Sequence, residues 1–187
     1  MTDARDKLTQ WLNSIRGVRA GDKADGLIYS CAEDFVLQHG SWYEPVPYSI
    51  SWRGLPKHCF ANSIWLAAMR NWKYIEGFAL APVSATGVWA THHGWNVDEY
   101  GQLVDSTWLN TGVAYLGVEF SVERADDASW VGDASVLEDW RRGFPLFRKH
   151  WTGETFDTPT SERIQLIRAG KGDELINMLE REMANGT

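Results

Sequence analysis

The chain has 187 residues, 44% of them hydrophobic and 23% charged, with a formal net charge of -7. That length fits one domain spanning 1–187 whose core needs no disulfide staples, and an apolar fraction that includes 11 Trp, 7 Phe and 6 Tyr excludes a disordered chain. The negative charge argues against a nucleic-acid partner, two cysteines are too few for a secreted disulfide framework, and no apolar run is long enough to span a membrane.

Leu8, Trp11, Leu12, Ile15 and Val18 recur at helical steps and predict a first amphipathic helix, with Thr2 or Asp3 as its cap. Leu27, Ile28, Cys31, Phe35 and Val36 predict a second, stopped by Gly40. Residues 40–57 hold three of the six prolines among aromatics, which predicts a long ordered loop of the kind that often carries function. A helix free of Gly and Pro follows, Cys59–Trp72. The pattern then changes to strands at Lys73–Leu80, Val88–Val97, Gln102–Trp108 and Val113–Phe120, the middle two joined by a turn at Asp98–Gly101. Helices are expected again at about 133–142, 159–168 and 173–184. N-terminal helices (1–40), a core (41–120) and C-terminal helices (121–187) make an α+β layout, with a central helix packed on an antiparallel sheet.

Cys59 opens the central helix, where unpaired amides and the positive end of the dipole favour a thiolate. Its position alone leaves open the alternative of a small buried hydrophobe. Cys31 sits mid-stripe in the second predicted helix and reads as core. His92 and His93 are adjacent in a strand, so their side chains leave on opposite faces. A hairpin centred on Glu99 places residue 93 opposite Asp105, with Cβ atoms about 5 Å apart, within reach of an imidazole–carboxylate hydrogen bond. A slip of one residue would pair His92 or Gly94 instead. A helix-start Cys, a strand His and a carboxylate on the partner strand form the nucleophile–base–orienter set of thiol catalysis.

The run Cys59…Tyr74-Ile-Glu-Gly77-Phe…His93-Gly-Trp-Asn96…Leu103-Val-Asp-Ser-Thr-Trp108 resembles the transglutaminase-like branch of the papain-like cysteine enzymes. The resemblance implies a papain-like fold, with Cys59 as nucleophile, His93 as base and acid, and Asp105 as orienter; His92 has no counterpart. It implies a hydrolase or acyltransferase acting on an amide, peptide or isopeptide bond of a peptide or protein substrate. The oxyanion hole lacks an obvious upstream Gln, since Gln38 falls on the second predicted helix; the indole N–H of Trp52 is the candidate in its place. The chain also resembles small bacteriophage-encoded proteins. With the charged start Met1–Lys7, this makes the cytoplasm, or a host's cytoplasm, the expected location.

No metal is expected, because zinc sites use three or four ligands with close pairs and here one Cys and two oppositely facing His are at hand. No cofactor is expected either, as no glycine-rich phosphate motif occurs. The competing reading is a non-catalytic binding protein that uses the aromatic loop residues Trp42, Tyr43, Tyr48 and Trp52. Six of the eleven tryptophans (Trp52, Trp65, Trp72, Trp89, Trp95, Trp108) fall between residues 52 and 108, which predicts an aromatic setting for the candidate triad.

Overall fold

A computed structural model describes residues 3–22, 26–46, 53–81, 89–129, 135–153 and 158–185. Helix α1 (Ala4–Arg19) follows the first predicted stripe and fully buries Leu8 and Leu12, while Val18, in its last turn, is exposed. Asp3 takes the N-cap position but makes no side-chain capping bond; Thr2 lies outside the described residues.

The second helix is shorter than its stripe. α2 spans Ala32–His39, and residues 27–31 are not helical. Their amides are taken from elsewhere: Ile28 and Tyr29 N–H donate to the Phe147 carbonyl, and Ser30 N–H donates to the Asp34 carboxylate. Cys31 is therefore the extended N-cap residue rather than a mid-helix one, although it is buried as expected. The long loop contains a short strand, β1 (Ser41–Tyr43).

Helix α3 (Cys59–Arg70) ends where Asn71 turns left-handed at φ 55°. Strands β2 (Lys73–Ala81), β3 (Trp89–Val97), β4 (Leu103–Val104) and β5 (Ala114–Phe120) then build one sheet with β1, ordered β1-β5-β2-β3-β4 and antiparallel at every pairing. Helices α4 (Val122–Ser129), α5 (Glu162–Arg168) and α6 (Gly172–Asn185) complete an α+β architecture with six α-helices among the described residues.

Two expectations fail here for a physical reason. The strand read over Gln102–Trp108 is only two residues long, because the chain bends at Ser106 and Thr107. The helix expected near 133–142 is absent over 135–139: Val136 and Leu137 N–H donate to the buried Glu76 carboxylate, and only a 3-10 turn (Trp140–Arg142) follows. Helix α4, by contrast, was not legible as a stripe. Ser121 starts it by accepting the Arg124 N–H on its hydroxyl.

The sheet has two different faces. Tyr74, Phe78 and Leu80 of β2, with Leu116, Val118 and Phe120 of β5, face a large core that includes residues of α1, α2, α3, α5 and α6. Ile75, Ala79, Trp95, Val97, Leu103 and Tyr115 form a smaller aromatic layer on the other face. Side chains alternate along a strand, so this division puts His92 on the large-core side and His93 beside Trp95 in the small layer. Among the described residues no helix is long and apolar enough to cross a membrane.

Candidate active site

The β3–β4 register pairs Asn96 with Val104 and Val97 with Leu103. Continuing it would set Asp105 opposite Trp95, not opposite His93 as the hairpin centred on Glu99 supposed. The error is two positions, so the face is conserved, and Asp105 meets His93 diagonally as the strand ends. His93 Nε2 lies 2.8 Å from Asp105 Oδ2. Both side chains are nearly inaccessible to solvent.

Asp105 is saturated with donors. Its Oδ1 accepts the Thr107 and Trp108 backbone N–H at 2.9 and 3.0 Å, and Oδ2 accepts the Tyr115 hydroxyl at 2.9 Å besides the imidazole. Burial resists its ionisation, but the His93 bond and charge and these backbone donors outweigh it and lower its pKa. With Nε2 committed to Asp105, Nδ1 is the ring nitrogen left for Cys59. The Trp108 ring stacks on His93 at a centroid distance of 4.2 Å and an interplanar angle of 19°, which fixes the ring's plane.

Cys59 arrives from the open side of β3. Between Trp89 and Trp95 no strand among the described residues pairs with that side, and the start of α3 lies against it at Gly94. A Cβ on Gly94 would sit 3.0 Å from Phe60 Cδ1 and 3.3 Å from the Cys59 carbonyl, so glycine permits the approach. Burial raises the Cys59 pKa, yet the His93 ring, the Gly94 N–H and the charge of His92 stabilise the thiolate and bring the net shift below the ordinary thiol value. His93 moves the opposite way. Burial disfavours its charged form, but Asp105 and Cys59 more than compensate and raise it to about 9. The two shifts describe one coupled thiolate–imidazolium pair.

The helix start itself is open. His58, at the N-cap, makes no side-chain capping bond, the first turn carries no acidic residue, and the first backbone bond of the turn closes at Asn62 N–H onto the His58 carbonyl. Among the described residues the amides of Cys59 and Phe60 have no backbone acceptor, as expected for the positive end of α3. Asn62 anchors the approach loop by accepting from Leu55 N–H and donating to the Leu55 carbonyl and Thr107 Oγ1. Arg53 adds bonds to the Asp105 and Trp108 carbonyls. Lys57 holds φ 69° in a turn closed by His58 N–H onto the Leu55 carbonyl, a backbone state that costs a non-glycine residue roughly 1–2 kcal/mol.

Cys59, His93 and Trp108 line a cleft of about 630 Å³ with Lys57, Phe60, Thr91 and Leu109. His92 lines it too, but its ring nitrogens are turned to carboxylates: Nε2 is 3.1 Å from Glu76 and Nδ1 3.5 Å from Glu138. The structure thus brings Cys59, His93 and Asp105 together and leaves His92 beside them. Trp52 lies outside the described residues, as does Tyr48. Gln38 is on α2, where it donates to Asp34. Trp42 and Tyr43 are half-buried in the sheet, Tyr43 against Trp95 at 5.7 Å.

Sequence reasoning missed Tyr115, Gly94, Arg53 and Asn62, which support the three residues from four different segments. The Gly94 signal was available as the glycine after His93; the others carry none. No group of three or more His, Cys, Asp or Glu side chains among the described residues is placed to hold a metal ion. Comparisons with protein-family models, with curated proteins and with solved structures found no match.

Proposed function

We propose that the protein is a cysteine-dependent hydrolase or acyltransferase of the transglutaminase-like, papain-like type, acting on an amide, peptide or isopeptide bond in a peptide or protein. One observation carries this reading: a thiol at an uncapped helix start shares an imidazole with a buried carboxylate that accepts four hydrogen bonds.

Each step uses side chains of this site. The Cys59 thiolate attacks the carbonyl carbon, and the Cys59 and Phe60 amides receive the oxyanion at the helix start. The His93 imidazolium protonates the leaving nitrogen, the C–N bond breaks, and a thioester remains on Cys59. Neutral His93 then takes a proton from water or an acceptor amine, which adds to the thioester and releases Cys59 as thiolate. Asp105 keeps the imidazole in the tautomer that presents Nδ1 to sulfur and stabilises its charged form. Trp108 shields the ring from water, which strengthens these interactions. A thiolate nucleophile also suits a reducing compartment such as the cytoplasm.

Alkylation by iodoacetamide at pH about 6 tests the reading, because a thiolate reacts and a thiol does not. Cys59 is expected to label at least tenfold faster than the buried Cys31, and His93→Ala to remove that advantage. Equal rates for the two cysteines would overturn the proposal. An activity-based probe screen of wild type beside Cys59→Ala, with and without an added primary amine, separates hydrolysis from acyl transfer.

A further inference from the structure

We propose that the substrate is bound as an extended polypeptide that adds a strand to the open edge of β3 at Ala90–His92, next to Cys59. This rests on Cys59 being the reacting group and names the form in which its substrate arrives.

The strand's own hydrogen-bond parity leads here. In an antiparallel strand the N–H and C=O of one residue point to the same side, and successive residues alternate. The Gly94 N–H points at Cys59, away from β2, and the Asp98 N–H points the same way, to the Gln102 carbonyl. By alternation Ala90 and His92 also direct both backbone groups outward, while residues 89, 91 and 93 serve the ladder to β2.

Among the described residues β4 pairs with this side only at Asn96 and Val97, and the start of α3 meets the strand backbone at Gly94 while its Phe60 ring packs on the His92 side chain at 4.8 Å. At Ala90 and His92 the one bond made by an outward group among the described residues is from Thr91 Oγ1 to the His92 carbonyl at 3.3 Å, which leaves that oxygen a second lone pair. Residues 90–92 are half-buried, so the edge is reachable.

An edge of alternating donors and acceptors is complementary to one common ligand, another extended backbone. At about 3.4 Å per residue, His92 and Ala90 lie roughly 7 and 14 Å along the strand from Gly94. A peptide whose reacting carbonyl sits at Cys59 therefore reaches both with its next few residues. The cleft of about 630 Å³ contains Thr91 and His92 of this edge together with Cys59, so docking edge and nucleophile share one space. The apolar side chains nearby are unusually open: Trp89 at the head of the edge is 71% exposed and Leu109, which lines the cleft, 85%.

The test uses the full-length chain and two probe series of one to five residues. Peptidyl chloromethyl ketones extend from the acyl side of the reacting carbon, and N-terminally iodoacetylated peptides from the other. Rates at Cys59 are normalised to reaction with glutathione. One series is expected to gain at least tenfold from its one-residue to its longest member. N-methylation at every second amide should abolish the gain, and methylation of the intervening amides should leave it.

Ala90→Pro removes one outward N–H without touching the β2 ladder, and should lose the gain while keeping the iodoacetamide rate. Should that variant misfold, the N-methyl pattern on wild type decides alone. Overturning results are a flat length dependence in both series or a methylation pattern without alternation. If iodoacetamide itself fails to favour Cys59 over Cys31, the catalytic reading falls, and this inference with it.

Discussion

Asp105 is the residue on which the site turns, because it is both the orienter of His93 and a structural acceptor for the bend after β4. Its two roles separate by substitution. Asp105→Asn keeps the shape but offers an amide where Oδ2 faces His93, so the imidazole loses its charged partner; thioester chemistry should fall roughly a hundredfold or more. Tyr115→Phe removes one neutral donor to Oδ2 and the acceptor of the Gly112 N–H. It should lower stability by about 1 kcal/mol in denaturant melts while activity changes little. The pair's titration gives a further check. As pH falls through the lowered Cys59 pKa the thiolate is lost, and as it rises past about 9 the His93 proton is lost. A rate profile with a plateau through neutrality and a falling alkaline limb near pH 9 is expected; an alkaline limb near the ordinary His value would contradict the Asp105 bond as drawn. The residue types of this site were legible because thiol chemistry uses few kinds of side chain. Tyr115 was not: it reaches Asp105 from β5, and nothing local in Val113–Phe120 marks its hydroxyl as a donor.

At the scale of elements, α3 and the three long strands were legible because their own side chains decide them: an uninterrupted helix former after a proline loop, and β-rich runs between turns. Elements decided by distant partners were not. Residues 27–31 have a helical stripe, but the Phe147 carbonyl and the Asp34 carboxylate hold their amides; 135–139 lose theirs to Glu76. Strand β5 shows how an element can serve the site from one position. Gly117 faces Gly77 across the sheet, and a Cβ on Gly117 would lie 2.5 Å from Trp95 Cη2. The missing side chain is the seat of the Trp95 ring, which is fully buried against Tyr115 and stacks near His93 at 6.3 Å. Gly117→Ala should therefore displace Trp95, destabilise the fold by about 1–3 kcal/mol as overpacking does, and slow Cys59 alkylation through His93. A thermal melt with the iodoacetamide rate checks both; an unchanged melt would mean that the aromatic layer gives way freely.

The whole molecule is joined behind the site by a second charged cluster, for which the resemblance implied no role. Glu76 is fully buried on β2 and accepts from Tyr74 Oη, His92, Val136 N–H and Leu137 N–H, so one carboxylate links the sheet to the segment after α4. Burial resists charge on both partners. Glu76 is nevertheless lowered by His92 and the two amides, and His92 is raised to about 10 by Glu138 and Glu76. A histidine whose folded pKa exceeds its unfolded value of 6.5 stabilises the fold fully below 6.5, and the contribution disappears as pH rises to about 10. His93, raised to about 9, acts in the same direction. For Glu76 the sign is reversed: its contribution is present above the usual carboxylate range and is lost in acid as pH falls through the lowered folded value. Melting temperature should thus be highest from mildly acidic to neutral pH and decline between about 6.5 and 10. Glu76→Gln leaves the buried His92 with Glu138 alone and should cost about 3–5 kcal/mol, as breaking a buried pair does. It should also flatten the alkaline decline and release the Val136 and Leu137 amides to hydrogen exchange. Retained protection at those two amides would show that the segment is held by its apolar contacts, Val136 and Leu137 in the large core, and not by the carboxylate.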